Sequence, residues 1–223
     1  MTTQTIILKF GGSVLREESD LAKAVHEIYR HWRKGKQVLA VVSALSGRTD
    51  ELLERSRYFG SEPNPAAIAS LLATGEATSA ALLALALDRA GLPAKVLSPE
   101  QAKIKTVGHT LDAEPISADT ERIARELAKG IVIVSGFVGV NDHGDLTLLG
   151  RGGTDYTALF LARELEAECR LIKDVDGLYD RDPAIMTHAR RFARASFHTA
   201  LQLGGKLVQP KAVRYAEKSS VEF

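Results

Sequence analysis

Four glycine-containing segments of this sequence carry charged and polar side chains of the kind that bind phosphate. The first is KFGGS, from Lys9 to Ser13. Glycines let a backbone approach a phosphate closely, and a lysine supplies a point charge for it. Lys9 precedes the glycines, whereas the lysine of the Walker pattern follows them. A tight turn after a strand, with Lys9 in solvent, is the alternative interpretation.

The second segment is SALSGRTD, from Ser43 to Asp50, between an apolar run and a helical pattern. Its hydroxyl groups and the N-terminus of the following helix suit an anionic or zwitterionic ligand. Serine, threonine and aspartate are also the commonest helix caps. Taken alone, this segment is explained by capping.

The third segment is LGRGGTDYT, from Leu149 to Thr157, at the start of a predicted helix. Two glycines there gather backbone N–H groups around an anion, and Arg151 adds a planar charge. We expect Asp155 to orient a lysine or to accept an amine rather than to touch a phosphate. Helix capping accounts for Thr154 or Asp155 but not for the Arg-Gly-Gly sequence.

The fourth segment is KDVDGLYDRDP, from Lys173 to Pro183. Its carboxylates around a glycine turn could face the ribose and base of a nucleotide, or the water around a metal ion. A solvated acidic turn is the alternative. An EF-hand is excluded because Ala184 or Ile185 stands where its closing glutamate belongs.

Three further residue types bear on chemistry. Glu76 lies in an apolar helical run, so it either faces solvent or enters a cleft to bind a cation, and the preceding Gly75 favours the cleft. The six histidines lack the spacing of zinc ligands. The single cysteine, Cys169, is predicted to be a core residue rather than a nucleophile.

The composition limits the classes of protein and partner. A chain of 223 residues forms one large domain or two small lobes. Its 29 basic and 28 acidic residues give no charge excess, so neither a nucleic-acid nor a membrane partner is predicted. One unpaired cysteine and the absence of a signal-peptide pattern indicate the cytoplasm. The longest apolar run, 80–86, is too short to span a membrane.

Strand-like and helix-like segments alternate and must position the four segments. This alternation predicts a mostly parallel sheet covered by helices on both faces, with ligands at the carboxyl ends of the strands. A hairpin is predicted at 138–149, and short strands and loops at 101–116. The predicted strands are 5–10, 37–42, 94–97, 131–135 and 170–173, and the predicted helices are 21–32, 50–59, 66–90, 117–129 and 156–166, followed by two short ones.

Several local predictions concern the ends of elements. Ser19 and Ser117 are expected to cap helices, and Gly75 to interrupt the helix at 66–90. Residues 219–223 look like the opening of another strand. We therefore expect the chain to be a fragment or a trimmed form of a longer protein.

In this order, the motifs resemble those of the amino acid kinase family, most closely the catalytic domain of its aspartokinase branch. The resemblance covers nearly the whole chain, as one domain over 1–223. The motifs that carry it are KFGGS (9–13), VVSALSGRTDELL (41–53), TGE (74–76), GFVG (136–139), LGRGGTDYTA (149–158), DVDGLYDRDP (174–183) and GGKLVQPKAV (204–213).

The resemblance implies a three-layer α/β/α fold with a mostly parallel central sheet. Its N-terminal lobe, about 1–130, would bind the phosphate acceptor, and its C-terminal lobe, about 131–223, would bind ATP with Mg²⁺. It implies transfer of the γ-phosphoryl group to the side-chain carboxylate of L-aspartate. It also implies a homodimer as a candidate assembly.

The resemblance assigns a role to each matching residue. Lys9 and Asp155 would be catalytic, with Asp155 organising the lysine. Glu76 would receive the substrate's ammonium and Arg151 its α-carboxylate. The remaining assignments are Ser43, Thr49 and Thr154 in the acceptor pocket, Gly11, Gly12 and Ser13 along the phosphoryl path, and Asp174, Tyr179, Asp182 and Lys206 around the nucleotide.

The sequence departs from the aspartokinase pattern in four places. Ser13 follows Gly12 with one hydroxyl residue missing, Lys173 replaces a usual threonine, and the region between Thr49 and Glu76 is short. The C-terminal ACT domains are absent, so no feedback control of that kind is expected. Two alternatives stay open, an N-acetylglutamate kinase-like enzyme and a binding or regulatory domain that has lost the chemistry.

Overall fold

Buried parallel strands form the centre of the molecule. The computed structural model describes residues 4–60, 62–183, 185–205 and 207–223. The strands are β1 (Thr5–Phe10), β2 (Gln37–Val42), β3 (Ala94–Leu97), β4 (Lys105–His109), β5 (Asp112–Ser117), β6 (Ile131–Ser135), β7 (Val138–Val140), β8 (Leu146–Leu148) and β9 (Glu168–Ile172). The helices are α1 (Leu21–Trp32), α2 (Arg48–Arg57), α3 (Pro65–Arg89), α4 (Thr120–Leu127), α5 (Gly153–Glu164), α6 (Phe197–Leu203) and α7 (Pro210–Ser219).

The central sheet has five strands in the order β3-β6-β2-β1-β9, and all neighbouring strands are parallel. Its apolar residues are buried on both faces, as expected when helices cover both sides of a parallel sheet. Helices α1 and α3 pack on one face, and α4 and α5 pack on the other. The predicted three-layer α/β/α fold is confirmed.

The two faces of β1 have different partners. Ile6, Leu8 and Phe10 belong to the apolar core under α1 and α3. Ile7 belongs to the core under α5. Because successive side chains of a strand point to opposite faces, Lys9 shares the α5 side with Ile7. The strand register therefore directs the lysine of the first segment toward α5.

A second sheet has four strands in the order β5-β4-β7-β8. Its strand β7 begins just beyond the carboxyl end of β6. Its β7–β8 pair is the predicted hairpin, with antiparallel partners Val138 and Leu148. The region 101–116, where short strands and loops are predicted, supplies β4 and most of β5, which are also antiparallel. Thr106 and Thr147 hydrogen-bond inside this sheet through their hydroxyl oxygens, 2.6 Å apart.

Four local predictions are wrong. Gly75 lies inside an uninterrupted α3, where a β-carbon would come within 3.1 Å of the Ala44 side chain, so the glycine allows close packing. Ser19 donates to Glu17 instead of capping α1. The carboxylate of Asp119, not Ser117, accepts from the Arg122 N–H and caps α4. No strand forms over 219–223: α7 continues to Ser219, and residues 220–223 pair with no strand of the described chain.

The length and composition of α3 would allow it to cross a membrane. This helix is much longer than the apolar run at 80–86 that the sequence singled out. In the structure it packs against β3, β6 and α1, and Leu83 and Leu87 are fully buried. The core helix of a globular protein meets the same criterion of length and composition. The outer face of α3 is not covered in the structure, where the Leu85 side chain is 66% exposed.

Lys211 on α7 ties that helix to the second sheet and to the loop before α5. Its ammonium pairs with the Asp112 carboxylate and donates to the carbonyl oxygens of Ala113, at 3.2 Å, and Leu149, at 3.0 Å. Gly150, with φ of +71°, packs against Asp112, where a β-carbon would overlap the carboxylate. These contacts hold the glycine loop that leads into α5.

We expect Lys211→Met to lower the free energy of unfolding by about 1–2 kcal/mol, because two carbonyl oxygens lose a charged donor. The exposed ion pair with Asp112 contributes little. Urea titration measures the change. The matched control is Lys129→Met, which removes a surface pair with Glu126 and is expected to change stability by less than about 0.5 kcal/mol. Equal changes in the two variants would contradict the bracing role of Lys211.

Candidate active site

Three charged residues meet at the carboxyl end of the sheet. Strands β1 and β9 are parallel neighbours, with Lys9 beside Leu171. The Lys9 Nζ lies 2.6 Å from Asp155 Oδ1. The Lys173 Nζ lies 3.0 Å from Asp155 Oδ2 and 3.3 Å from Oδ1. We call Lys9, Asp155 and Lys173 the lysine–aspartate triad.

Close packing at the N-terminus of α5 brings Asp155 to the two lysines. Gly150 and Gly152 adopt positive φ and turn the chain into the helix. A β-carbon on Gly153 would lie 2.7 Å from the Phe137 ring, and one on Gly136 would overlap Thr154. A carboxylate in the first turn also interacts favourably with the helix dipole. The Gly-Gly sequence therefore lets α5 begin against the end of β6, with Asp155 facing β1.

The triad is largely buried and carries an unbalanced charge. Lys9 is 6% exposed, and burial lowers the pKa of its ammonium, although the carboxylate of Asp155 raises it. The neighbouring ammonium of Lys173 lowers the pKa of Lys9 further. Gly11 leaves room for this group, since a β-carbon there would lie 2.5 Å from the Lys9 Nζ. Two ammonium groups around one carboxylate leave a site suited to an anion.

Glu76 provides a buried carboxyl group near the end of β2. Its Oε1 accepts a hydrogen bond from the Ala44 N–H at 3.3 Å, and its Oε2 has no hydrogen-bond partner among the described residues. Glu76 is only 2% exposed, and burial raises the pKa of its carboxyl group to about 7. Of the two orientations that the sequence allowed, the structure has the buried one. A buried carboxyl oxygen without a partner suits a cationic ligand group.

The first two glycine segments are neighbours in space. A β-carbon on Gly12 would lie 3.4 Å from the Ser46 Cα, and Ser43 directly follows β2. The Ser43 hydroxyl, which is partly buried, donates to the Ala44 carbonyl oxygen at 3.1 Å. Thr49 is partly buried in the first turn of α2. These segments border the region that Glu76 enters.

Other predicted site residues differ in exposure. Thr154 is 8% exposed, whereas Ser13 and Arg151 are exposed. Asp174 is exposed, and its carboxylate lies 3.5 Å from the Arg16 guanidinium. The remaining three are Tyr179, whose hydroxyl donates to Asp176 at 2.8 Å, Asp182, which is exposed, and Lys206, which lies outside the described residues.

A cavity of about 700 Å³ adjoins the carboxyl end of β9. Lys173 lines it, and so do Asp176 and Arg194. The rest of its lining is mainly apolar and comes from residues 171–172, 175, 177–178, 192–193, 195–197, 200, 204, 207–208 and 222–223. The predicted nucleotide residues Asp174 and Tyr179 flank lining residues in the sequence. The fourth segment thus borders a cavity large enough for a small ligand.

Lys173 is a charged residue of the site to which the sequence patterns assign no role. Its signal was its position just after a strand, in the segment that begins KDVDG. The sequence does not reveal that β9 pairs with β1, and this pairing is what brings Lys173 to Asp155. Cys169, by contrast, is a core residue, where burial raises the pKa of its thiol to about 12.

A site for Mg²⁺ would need oxygen ligands. The described part of the chain has no cluster of three or more acidic, histidine or cysteine side chains that could hold a metal ion. Mg²⁺ is commonly held by one or two carboxylates together with substrate phosphates and water. The exposed carboxylate of Asp174, next to Lys173, fits that requirement.

The comparisons with known proteins identify the family to which this fold belongs. The model of the amino acid kinase family matches residues 4–222, so this chain belongs to the amino acid kinase family. Within that family, its curated relatives include aspartokinases. The chain is 35% identical over 221 residues to aspartate kinase from Pseudomonas putida, covering 97% of this chain and 54% of that protein. It is 38% identical over 223 residues to aspartokinase from Helicobacter pylori strain J99, covering 98% and 55%.

Solved aspartokinases share the fold. Aspartate kinase from Synechocystis superposes with a TM-score of 0.82 at 30% identity, covering 97% of this chain and 36% of that one. Aspartokinase III from E. coli, solved in complex with aspartate and ADP, gives a TM-score of 0.80 at 24% identity, covering 98% and 60%. The chain spans about half the length of the curated relatives that it matches.

Proposed function

We propose that this domain transfers the γ-phosphoryl group of ATP to the side-chain carboxylate of L-aspartate, forming 4-phospho-L-aspartate and ADP. The observation that carries the proposal is the presence of two complementary sites at one edge of the sheet. The triad holds two lysines and one aspartate, and the Glu76 carboxyl group is buried with one oxygen that has no hydrogen-bond partner in the described part of the chain. The first suits a phosphoryl group and the second an amine. The aspartokinase names of the curated relatives support the same substrate.

In this reaction the protein positions the two substrates and neutralises the charge on the phosphoryl group. An oxygen of the aspartate side chain attacks the γ-phosphorus while the bond to the β,γ-bridging oxygen breaks. Lys9 stabilises the charge on the transferring group, and Asp155 acts as a positioning residue that holds Lys9 in place. The glycine backbone at 11–12 and Ser13 line the path. No general base is required, because the attacking carboxylate is already ionised at neutral pH.

The acceptor is held by charge pairing at both of its α-substituents. Glu76 receives the ammonium group, and Arg151 pairs with the α-carboxylate. Ser43, Thr49 and Thr154 border this pocket. An N-acetylated acceptor has no ammonium group for Glu76, which favours L-aspartate over N-acetyl-L-glutamate.

The nucleotide would lie on the C-terminal side, within residues 131–223, and the acceptor would lie mainly on residues 1–130. Asp174, Tyr179, Asp182 and Lys206 would surround the nucleotide, and Asp174 would contribute a ligand to Mg²⁺. The metal ion would neutralise charge on the phosphate oxygens. A cytoplasmic location and a homodimer remain predictions of the same kind.

Acceptor-dependent release of ADP tests the proposal. The protein is incubated with ATP and MgCl₂ in parallel with L-aspartate, N-acetyl-L-glutamate or no acceptor, and hydroxylamine traps any acyl phosphate. We expect ADP and hydroxamate with L-aspartate alone. Activity with N-acetyl-L-glutamate and not with L-aspartate would identify N-acetyl-L-glutamate as the acceptor. A folded protein that binds nucleotide but is silent with both acceptors would indicate a binding domain.

A further inference from the structure

Lys173 gives the triad more positive charge than its carboxylate balances. Its side chain is only 15% exposed, and its Nζ lies 3.0 Å from the Oδ2 of Asp155. The Oδ1 of the same carboxylate pairs with Lys9. Asp155 is itself 5% exposed as a side chain. One carboxylate therefore serves two ammonium groups in a place where water compensates charge poorly. Such an arrangement is favourable when an anion completes it.

The position of Lys173 indicates where that anion enters. Among the described residues, Lys173 is the member of the triad that lines the cavity of about 700 Å³. The cavity also contains charged groups of its own, Arg194, Asp176 and Glu222. Asp176 is already engaged by the Tyr179 hydroxyl and the Arg191 guanidinium. Lys173 thus lies between the cavity and Lys9.

We infer that Lys173 is a second phosphate-binding cation, which holds the polyphosphate of a nucleoside di- or triphosphate seated in this cavity and shares Asp155 with Lys9. The inference rests on the proposed function for the direction of transfer. Lys9 contacts the group that is transferred, and Lys173 contacts the phosphates that remain with the nucleoside. Asp155 fixes the separation of the two ammonium groups.

The opposite end of β9 offers a matched comparison. There the Glu168 carboxylate is also shared by two cations, Lys36 and Arg170. These side chains are more exposed, at 21% for Lys36, 28% for Glu168 and 51% for Arg170. Solvent can therefore balance their excess charge, and no anion is needed. Lys36→Met removes one lysine from a shared carboxylate on the same strand, away from the candidate site.

Titration calorimetry of the full chain with MgADP, MgATP and AMP tests the role of Lys173. We expect Lys173→Met to weaken ADP and ATP binding about tenfold or more, with a smaller loss for AMP, because a charged donor to the polyphosphate is removed. Lys173→Arg, which keeps the charge, should recover most of the affinity. Lys36→Met should bind all three nucleotides as the unsubstituted chain does. In turnover, the KM for ATP should rise while the KM for L-aspartate stays within about twofold.

The titration of Lys9 gives a readout that does not depend on activity. The ammonium of Lys173 lowers the pKa of Lys9, so the NMR titration of ¹³C-labelled Lys9 should move to higher pH in Lys173→Met. Lys36→Met should leave it unchanged.

ADP affinity within threefold of the unsubstituted chain in Lys173→Met, or equal losses in Lys173→Met and Lys36→Met, would overturn the inference even if aspartate phosphorylation is observed. Conversely, nucleotide binding that depends on Lys173, in a protein that phosphorylates no acceptor, would support the inference and refute the proposed function. A folded chain that binds none of the nucleotides would overturn both.

Discussion

Lys9→Met is expected to lower kcat by about 10²–10³-fold, because the variant loses a preorganised positive charge at the transferring phosphoryl group. The methionine fills a similar volume, and Asp155 keeps its contact with Lys173 at 3.0 Å. The carboxylate is therefore not left alone, and the fold should persist. Steady-state ADP release at saturating ATP and L-aspartate measures the change.

Lys9→Arg should not restore activity. A guanidinium is larger than an ammonium. The Lys9 Nζ already packs tightly against Gly11, since a β-carbon on Gly11 would lie only 2.5 Å from it. Lys36→Met serves as the control for loss of a lysine from an ion pair, and circular dichroism checks folding. If Lys9→Met retained kcat within threefold, Lys9 would have no role in the chemical step.

The protonation of Lys9 predicts a pH effect of definite sign. Burial lowers the pKa of its ammonium below the usual value, and stabilisation of the phosphoryl charge requires the protonated form. The rate in the unsubstituted chain should therefore decline with rising pH at a lower pH than for an exposed lysine. In Lys9→Met this decline should disappear from the residual activity.

Glu76→Gln is the substitution with the second large expected effect, and it should weaken binding of the acceptor. We expect the KM for L-aspartate to rise about 100-fold, since a buried charge partner of the ammonium is lost. The KM for ATP should stay within about twofold, because the nucleotide site is separate. The control is Glu54→Gln, which removes an exposed carboxylate paired with Arg57. An unchanged KM for L-aspartate would show that Glu76 does not bind the acceptor.

Acceptor binding should also release a proton from the protein. Burial raises the pKa of Glu76 to about 7, so the group is mostly protonated at about pH 6, and an incoming ammonium favours its ionised form. Calorimetry in buffers of different ionisation enthalpy should detect close to one proton released at about pH 6, and little above about pH 8. Glu76→Gln should abolish the release.

The same shift makes the ligand-free protein less stable as the pH rises. Glu76 ionises near 4.5 when unfolded and near 7 when folded, so the unfolded state loses its proton first. No stability is lost below the unfolded pKa, and the loss builds up through the window from 4.5 to about 7. The full loss is about 3–4 kcal/mol. Urea titrations of Glu76→Gln should lack this dependence, whereas Glu54→Gln should retain it.

The apolar patterns were enough to predict most of the fold. The sequence predicts β1, β2, β3 and β6 with the bounds that they have in the structure, because strands buried on both faces are continuous apolar runs. Helix ends were predicted less well. Ser19, Ser117 and Asp119 are all suitable caps by residue type, and only the geometry of the chain selects Asp119 for α4. Gly75 does not interrupt α3. The glycine is explained by packing, because the side chains of Ala44 and Leu52 lie where a side chain at position 75 would extend.

The candidate site divides in the same way. The sequence by itself determined the amino acid kinase fold, the glycine segments and the candidate charges Lys9, Asp155 and Glu76, since these depend on residue type and order along the chain. Only the tertiary structure decided that Lys173 shares Asp155 with Lys9, and that Glu76 is buried with one oxygen that pairs with no other residue described by the structure. Both facts depend on which strands are neighbours and on how closely α3 approaches the end of β2. Those contacts join residues that are distant along the chain, so no local pattern encodes them.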